Sequence, residues 1–257
     1  YDKDQLKIKG KGEVLIDDRS DSTNYQIIKN NEKFIFDTKT NLKNNKLLID
    51  FLNYEKNENL EASILIKGEY KKNYPIKFNL ISLVENNNNI SFKNLNLSKD
   101  FKIMNMDSFN LDYLNNKKIK NKLTLKKNNF NYVIEGDNFD ATILINKIMD
   151  SDDENTSLFS NFNSKINIKI NKTYIDEVNF INNLHGTLNY KNNKIDYLDL
   201  KSTFPNNKTL NLSIKTNNQQ EKITRLLTDY PKPLIKRYSF IKGFEEGYLD
   251  YYSIKKN

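Results

Sequence analysis

"VIEGDNFDATILINKIM", residues 133–149, changes its hydrophobic period halfway through. Up to Gly136 the residues read as the end of a β-strand. Beyond Asp140 the apolar residues Ala141, Leu144, Ile145, Ile148 and Met149 fall at i, i+3, i+4, i+7 and i+8, the stripe of an amphipathic helix. The spacing predicts a short helix over 141–149.

Around this stretch the chain alternates. "EASILIKGEY" puts Ile64 and Ile66 on one face with Lys67 and Glu69 opposite, and "PIKFNLISLV" continues with Phe78 and Leu80. "KIKNKLTLK" contributes Leu123 and Leu125, "KINIKIN" Ile166 and Ile168, "LHGTLNY" Leu188, and "TLNLSIK" Leu210 and Leu212. Runs of period 2, broken by Asn, Asp, Lys or Gly, mark antiparallel strands with one apolar and one solvated face. The eleven named apolar residues are expected on one common side. An apolar face of this extent must be hidden against something.

A second helical stripe is expected in "QEKITRLLTDYPKPLIKRYSFIKG", where Ile223, Leu226, Leu227 and Tyr230 repeat the i, i+3, i+4, i+7 spacing. Pro231 and Pro233 break it, and Pro233 is placed to start a further turn with Leu234, Ile235 and Tyr238. Leu226 and Leu227 follow Leu144 and Ile145 by 82 residues, which suggests a repeating strand–strand–helix unit. Residues 1–100 carry strands alone. The expected organisation is therefore a β segment over 1–100 and a second over 101–257, with helices near 140–150 and 221–241, as two segments or one continuous sheet.

Composition narrows function. The chain of 257 residues carries a net charge of +8, but Arg19, Arg225 and Arg237 are its arginines. The rest of the positive charge is Lys, which lacks the planar fork suited to phosphate and base edges. Nucleic acid is not expected as a partner; an anionic membrane surface fits this charge better. Hydrophobic residues make up 37% and mean hydropathy is −0.77. The polar excess is mostly Lys and Asn, and the Asn runs, such as "ENNNN" at 85–89, are read as drift in turns.

No catalytic constellation is found. His185 stands alone, without Cys or a second His to build a zinc site or a triad. "DSDDEN" at 150–155 lacks the central Gly and distal Glu of a calcium loop, and no Gly-rich phosphate loop occurs. Neither metal, cofactor nor enzymatic activity is expected. No apolar run of 18 residues is present to span a bilayer, and the start at Tyr1 suggests a piece of a longer protein.

Gly136, Phe139, Asp140, Ala141, Leu144 and Ile145 resemble an element of the AsmA-like family, the bridge-like lipid transfer proteins of the TamB and YhdP type. In that element a strand ends in Gly and a short helix begins at an Asp. Leu226 and Leu227, followed by Gly243 and Gly247 in "FIKGFEEGYLDY", resemble a second copy. The resemblance covers about residue 100 to the end. It implies a long curved antiparallel sheet with an apolar groove, two short amphipathic helices and no catalysis. It also implies a periplasmic position in a Gram-negative bacterium, an inner-membrane anchor outside this chain and transport of phospholipids for outer-membrane biogenesis. Phospholipid acyl chains would be the ligand, and proteins of either membrane the partners. The same alternation would also build a structural or adhesive β-rich surface protein, a sandwich or solenoid, in which the apolar face meets protein instead of lipid.

Overall fold

The computed structural model describes residues 5–16, 18–145, 163–191, 194–219, 221–238 and 246–256. It is mainly β, and its strands belong to two compact units that divide at Asn121/Lys122. The division lies beyond residue 100 because 103–114 still hydrogen-bond to the strands before them.

In the first unit β1 (Gln5–Ile16), β2 (Arg19–Asn30) and β3 (Lys33–Leu42) form an antiparallel meander. An excursion follows: β4 (Leu47–Ile49) and β5 (Tyr54–Lys56) pair around a 3-10 turn at Asp50–Leu52. β6 (Ala62–Lys71) then returns to β3, and β7 (Ile76–Glu85) and β8 (Asn88–Leu97) extend the sheet. β9 (Ile103–Asn105) and β10 (Ser108–Leu114) both pair with β8.

The second unit runs through β11 (Lys120–Asn128), β12 (Asn131–Asp140), β13 (Ser164–Tyr174), β14 (Phe180–Lys191) and β15 (Lys194–Thr203). β16 (Thr209–Thr216), β17 (Glu221–Thr228), a helix α1 (Lys232–Tyr238) and β18 (Leu249–Lys256) complete it. Neighbouring strands are antiparallel except β12 and β13, which run parallel. A parallel pair needs a crossover that carries the chain back along the strand, typically a dozen residues or more. The link from Asp140 to Ser164 has to make that return, and it opens with a helical turn at 142–145, where the period changes. Residues 142–145 are helical; Ile148, Met149, the acidic run at 150–155 and Gly243 lie outside the described residues.

The second predicted helix is overturned in its first half. Residues 221–228 are β17, with Leu226 between Leu212 and Tyr251 and Leu227 between Asn211 and Asp250. Strand hydrogen bonds to two neighbours outweigh what one isolated helical turn can offer. Helix begins only after Pro231, whose carbonyl accepts from the amides of Leu234 and Ile235 at 2.9 Å. The 82-residue repeat therefore does not hold. What does recur is the helix start: Ile145 donates to the Ala141 carbonyl as Ile235 donates to that of Pro231.

Asn is not confined to turns. Nine of the twelve non-glycine residues with positive φ among those described are Asn. Asn94 (φ 49°) lies inside β8 and Asn183 (φ 54°) inside β14. Asn tolerates the left-handed region because its short amide bonds locally, so these positions interrupt the pleat without ending the strand.

Candidate functional site

The register of each unit sorts its side chains onto two faces. In the first unit three rows cross the strands. One runs Ile8, Ile27, Phe36, Gly68, Phe78, Leu95; the next runs Tyr25, Thr38, Ile66, Ile81, Phe92, Phe109; the third runs Thr23, Thr40, Ile64, Leu83, Ile90, Leu111. The opposite face is mixed: Lys, Asp, Glu and Asn, with ion pairs such as Lys67–Asp37 at 2.9 Å, stand beside Ile28, Ile35 and Leu65. Aromatic rings tile the apolar rows: Phe36 meets Phe78 edge-on at 5.9 Å, and Phe92 stacks on Phe109 at 4.2 Å. Gly68 is required beneath Phe36, because a Cβ there would collide with the ring and with the Lys77 carbonyl.

Leu80 departs from the expected face. The register shifts between Lys67 and Gly68, so Phe78 opposes Gly68 while Leu80 opposes Lys67 and Lys93. Past this bulge the apolar positions are Phe78 and Ile81, three apart, and Leu80 joins the opposite side.

In the second unit one row crosses eight strands: Leu125, Ile134, Ile168, Gly186, Leu200, Leu212, Leu226 and Tyr251. Flanking it are Leu123, Gly136, Ile170 and Leu184 on one side. On the other lie Tyr132, Ile166, Leu188, Leu198 and Ile214. Leu210 sits two residues from Leu212 on the same face. At the usual strand separation of about 4.8 Å the eight-strand row spans up to about 34 Å. The opposite face bears Lys169, His185 and Lys201 in cross-strand register. His185 is exposed, and its Nδ1 lies 2.7 Å from the Asn183 carbonyl.

Each apolar face is stopped at one end of its strands. In the first unit the excursion at 43–61 covers that end. Tyr54 and Tyr113 pack edge-on at 5.6 Å, and Tyr113 donates to the Leu52 carbonyl at 2.7 Å. Tyr54 donates to Glu85 at 2.6 Å; burial first, then this carboxylate, pushes the phenol's pKa up. Lys56 is fully buried, its Nζ donating to the Lys43 and Asn45 carbonyls. Burial pulls the Lys56 pKa down, opposed by Asp21, Glu85 and Glu58. In the second unit Leu234 of α1 joins Ile175, Ile181, Phe204 and Leu210 in a core against which Ile145, Leu226 and Tyr230 pack. Asp140 accepts from the Thr142 amide at 3.0 Å and so caps the first helical turn. Phe139 is half-buried near the end of β12, Leu144 points outward at 48% exposure, and Gly247 has a φ of 94°.

No family model, curated protein or solved structure matches the chain. In each unit the candidate site is thus defined by its own geometry: an apolar surface backed by a face of mixed polarity and closed at one end. Among the described residues no group of three or more His, Cys, Asp or Glu is arranged to hold a metal ion. Likewise among them, no helix is long and apolar enough to cross a membrane.

Proposed function

We propose that this chain is a segment of a non-enzymatic lipid conduit of the AsmA-like kind, in which acyl chains pass over the apolar rows. The observation that carries the reading is the uninterrupted row from Leu125 to Leu226, which continues from strand to strand without a charged side chain. A buried methylene is worth about 0.8 kcal/mol, so an acyl chain moving along a surface must never meet a gap of several carbons in water. Rows perpendicular to the strands satisfy this, and a length of about 34 Å exceeds one leaflet's half of a roughly 30 Å hydrocarbon core. On this reading the protein works in the periplasm, tethered to the inner membrane by a segment outside this chain, and moves phospholipid toward the outer membrane. With β17 a strand, the reading rests on the rows and no longer on paired helices.

A second reading, a structural or adhesive β-rich protein, draws on the burial of Leu123, Leu125, Ile166 and Ile170, each at most 9% exposed. Native mass spectrometry of the purified chain separates the two. Phospholipid adducts released by collisional activation are expected for the conduit. A lipid-free chain from a lipid-replete host would leave the structural reading.

A further inference from the structure

Phe101 occupies a backbone position that this chain otherwise gives to small polar residues. Its φ is 57°, while the other non-glycine residues at positive φ among those described are nine Asn, Asp18 and Lys118. A bulky side chain in the left-handed region is strained. The turn that imposes it is well formed: the Phe101 amide donates to the Ser98 carbonyl at 3.0 Å, and the Ser98 amide to that of Lys102 at 2.9 Å. Yet the ring gains no compensating core contact, since Phe101 is 63% exposed. Strain combined with exposure points to something outside the chain that the ring meets.

Its surroundings have one chemistry. Register puts the turns at 31–32, 72–75 and 98–102 at the same end of the first unit's strands, opposite the end covered by 43–61: Asn30 opposes Lys33, Lys33 opposes Lys71, and Ile76 opposes Leu97. Further rings stand exposed there, Tyr74 at 56% and Phe34 at 37%. Lys71 lies 4.8 Å above the Tyr74 ring and Lys29 5.9 Å above that of Phe34. Stretches 29–35, 69–77 and 98–102 hold seven lysines and three carboxylates. The covered end, 18–21, 43–61, 85–88 and 114–119, holds six basic and seven acidic residues. The positive charge is thus drawn to the end where the rings are exposed.

We propose that this end of the first unit docks on an anionic phospholipid bilayer, with Phe101 and Tyr74 entering the headgroup region and Lys29, Lys72 and Lys99 paired to lipid phosphates. Aromatic rings settle at the membrane–water interface, and lysines extend from it toward charge. The docking is separate from the conduit reading and survives its failure.

The test is flotation of the full chain with phosphatidylcholine vesicles prepared with and without phosphatidylglycerol. Binding is expected only with phosphatidylglycerol, and it should weaken as salt rises. Phe101→Asn suits the left-handed backbone and keeps the fold, and should lower partitioning about tenfold by removing the inserted ring. Lys72→Glu with Lys99→Glu should lower it on the order of thirty-fold or more, at about a kcal/mol per lysine near an anionic surface. Circular dichroism should be unchanged for all three substitutions. Absence of binding to phosphatidylglycerol vesicles at low salt overturns the proposal, as does full binding by the Phe101→Asn chain. A parent chain that carries no co-purifying lipid yet floats with phosphatidylglycerol vesicles would fail the conduit reading and leave the docking intact.

Discussion

At the start of β2, Asp21 is 3% exposed and accepts from the amides of Lys43, Asn44 and Asn45 and from the Asn45 side chain, all within 3.0 Å. Burial raises its pKa, but these four donors outweigh burial and hold it at about 2 against an ordinary 3.8. Because the folded value lies below the unfolded one, the carboxylate's contribution is complete above about pH 4 and is lost as pH falls toward 2. The shift corresponds to about 2 kcal/mol. Urea denaturation should therefore show Asp21→Asn less stable than the parent by about this amount near neutrality, with the gap closing near pH 2. An unchanged gap across that range would mean the donors, not the charge, set the stability. None of this was legible in the sequence, because the partners lie more than twenty residues away in the excursion that closes the first unit.

Among elements, α1 and the helical turn at 142–145 act by plugging strand ends. Leu234 is 6% exposed within the cluster of Ile175, Ile181, Phe204 and Leu210. Leu234→Ala should cost about 2–4 kcal/mol, measured as a lowered denaturation midpoint. Gly68→Val tests the opposite fault, overpacking: its side chain would displace Phe36 and the Lys77 carbonyl, and a loss of about 1–3 kcal/mol is expected. Helix existence was readable from spacing at 141–145 and from Pro231 and Pro233. The error at 221–228 has a physical cause. Ile223, Leu226 and Leu227 are apolar on both faces of β17, and a strand apolar on both faces loses its period of 2.

For each unit taken whole, the decisive property is an apolar face that stays apolar from strand to strand. Substituting Asp on it separates conduit from core. At Ile66, which is partly exposed, a carboxylate can remain hydrated, so Ile66→Asp should leave circular dichroism unchanged while removing co-purifying lipid, since a passing chain would have to desolvate the charge. At Leu125, 9% exposed, the same change probes how far the face opens. Retention of fold with loss of lipid fits the conduit, whereas unfolding together with a lipid-free parent fits a packed core. Lipid adducts that persist in the folded Ile66→Asp and Leu125→Asp chains would remove the rows from lipid passage altogether.

Alternation by itself determined the class of fold and the composition of the face, because side-chain direction in a strand has a period of two and nothing else is needed to read it. For Leu123, Leu125, Ile166, Ile168, Leu188, Leu210 and Leu212 the local pattern and the register agree. Tertiary structure alone decided where the pleat is interrupted. The bulge at Lys67/Gly68 turns Leu80 to the opposite side, and left-handed Asn94 and Asn183 interrupt the pleat of two further strands, since a bulge answers to the neighbouring strand's register and not to its own residues. It also decided that β12 and β13 run parallel. The direction of a neighbour is fixed by pairing at a distance, and no local hydrophobic period encodes it.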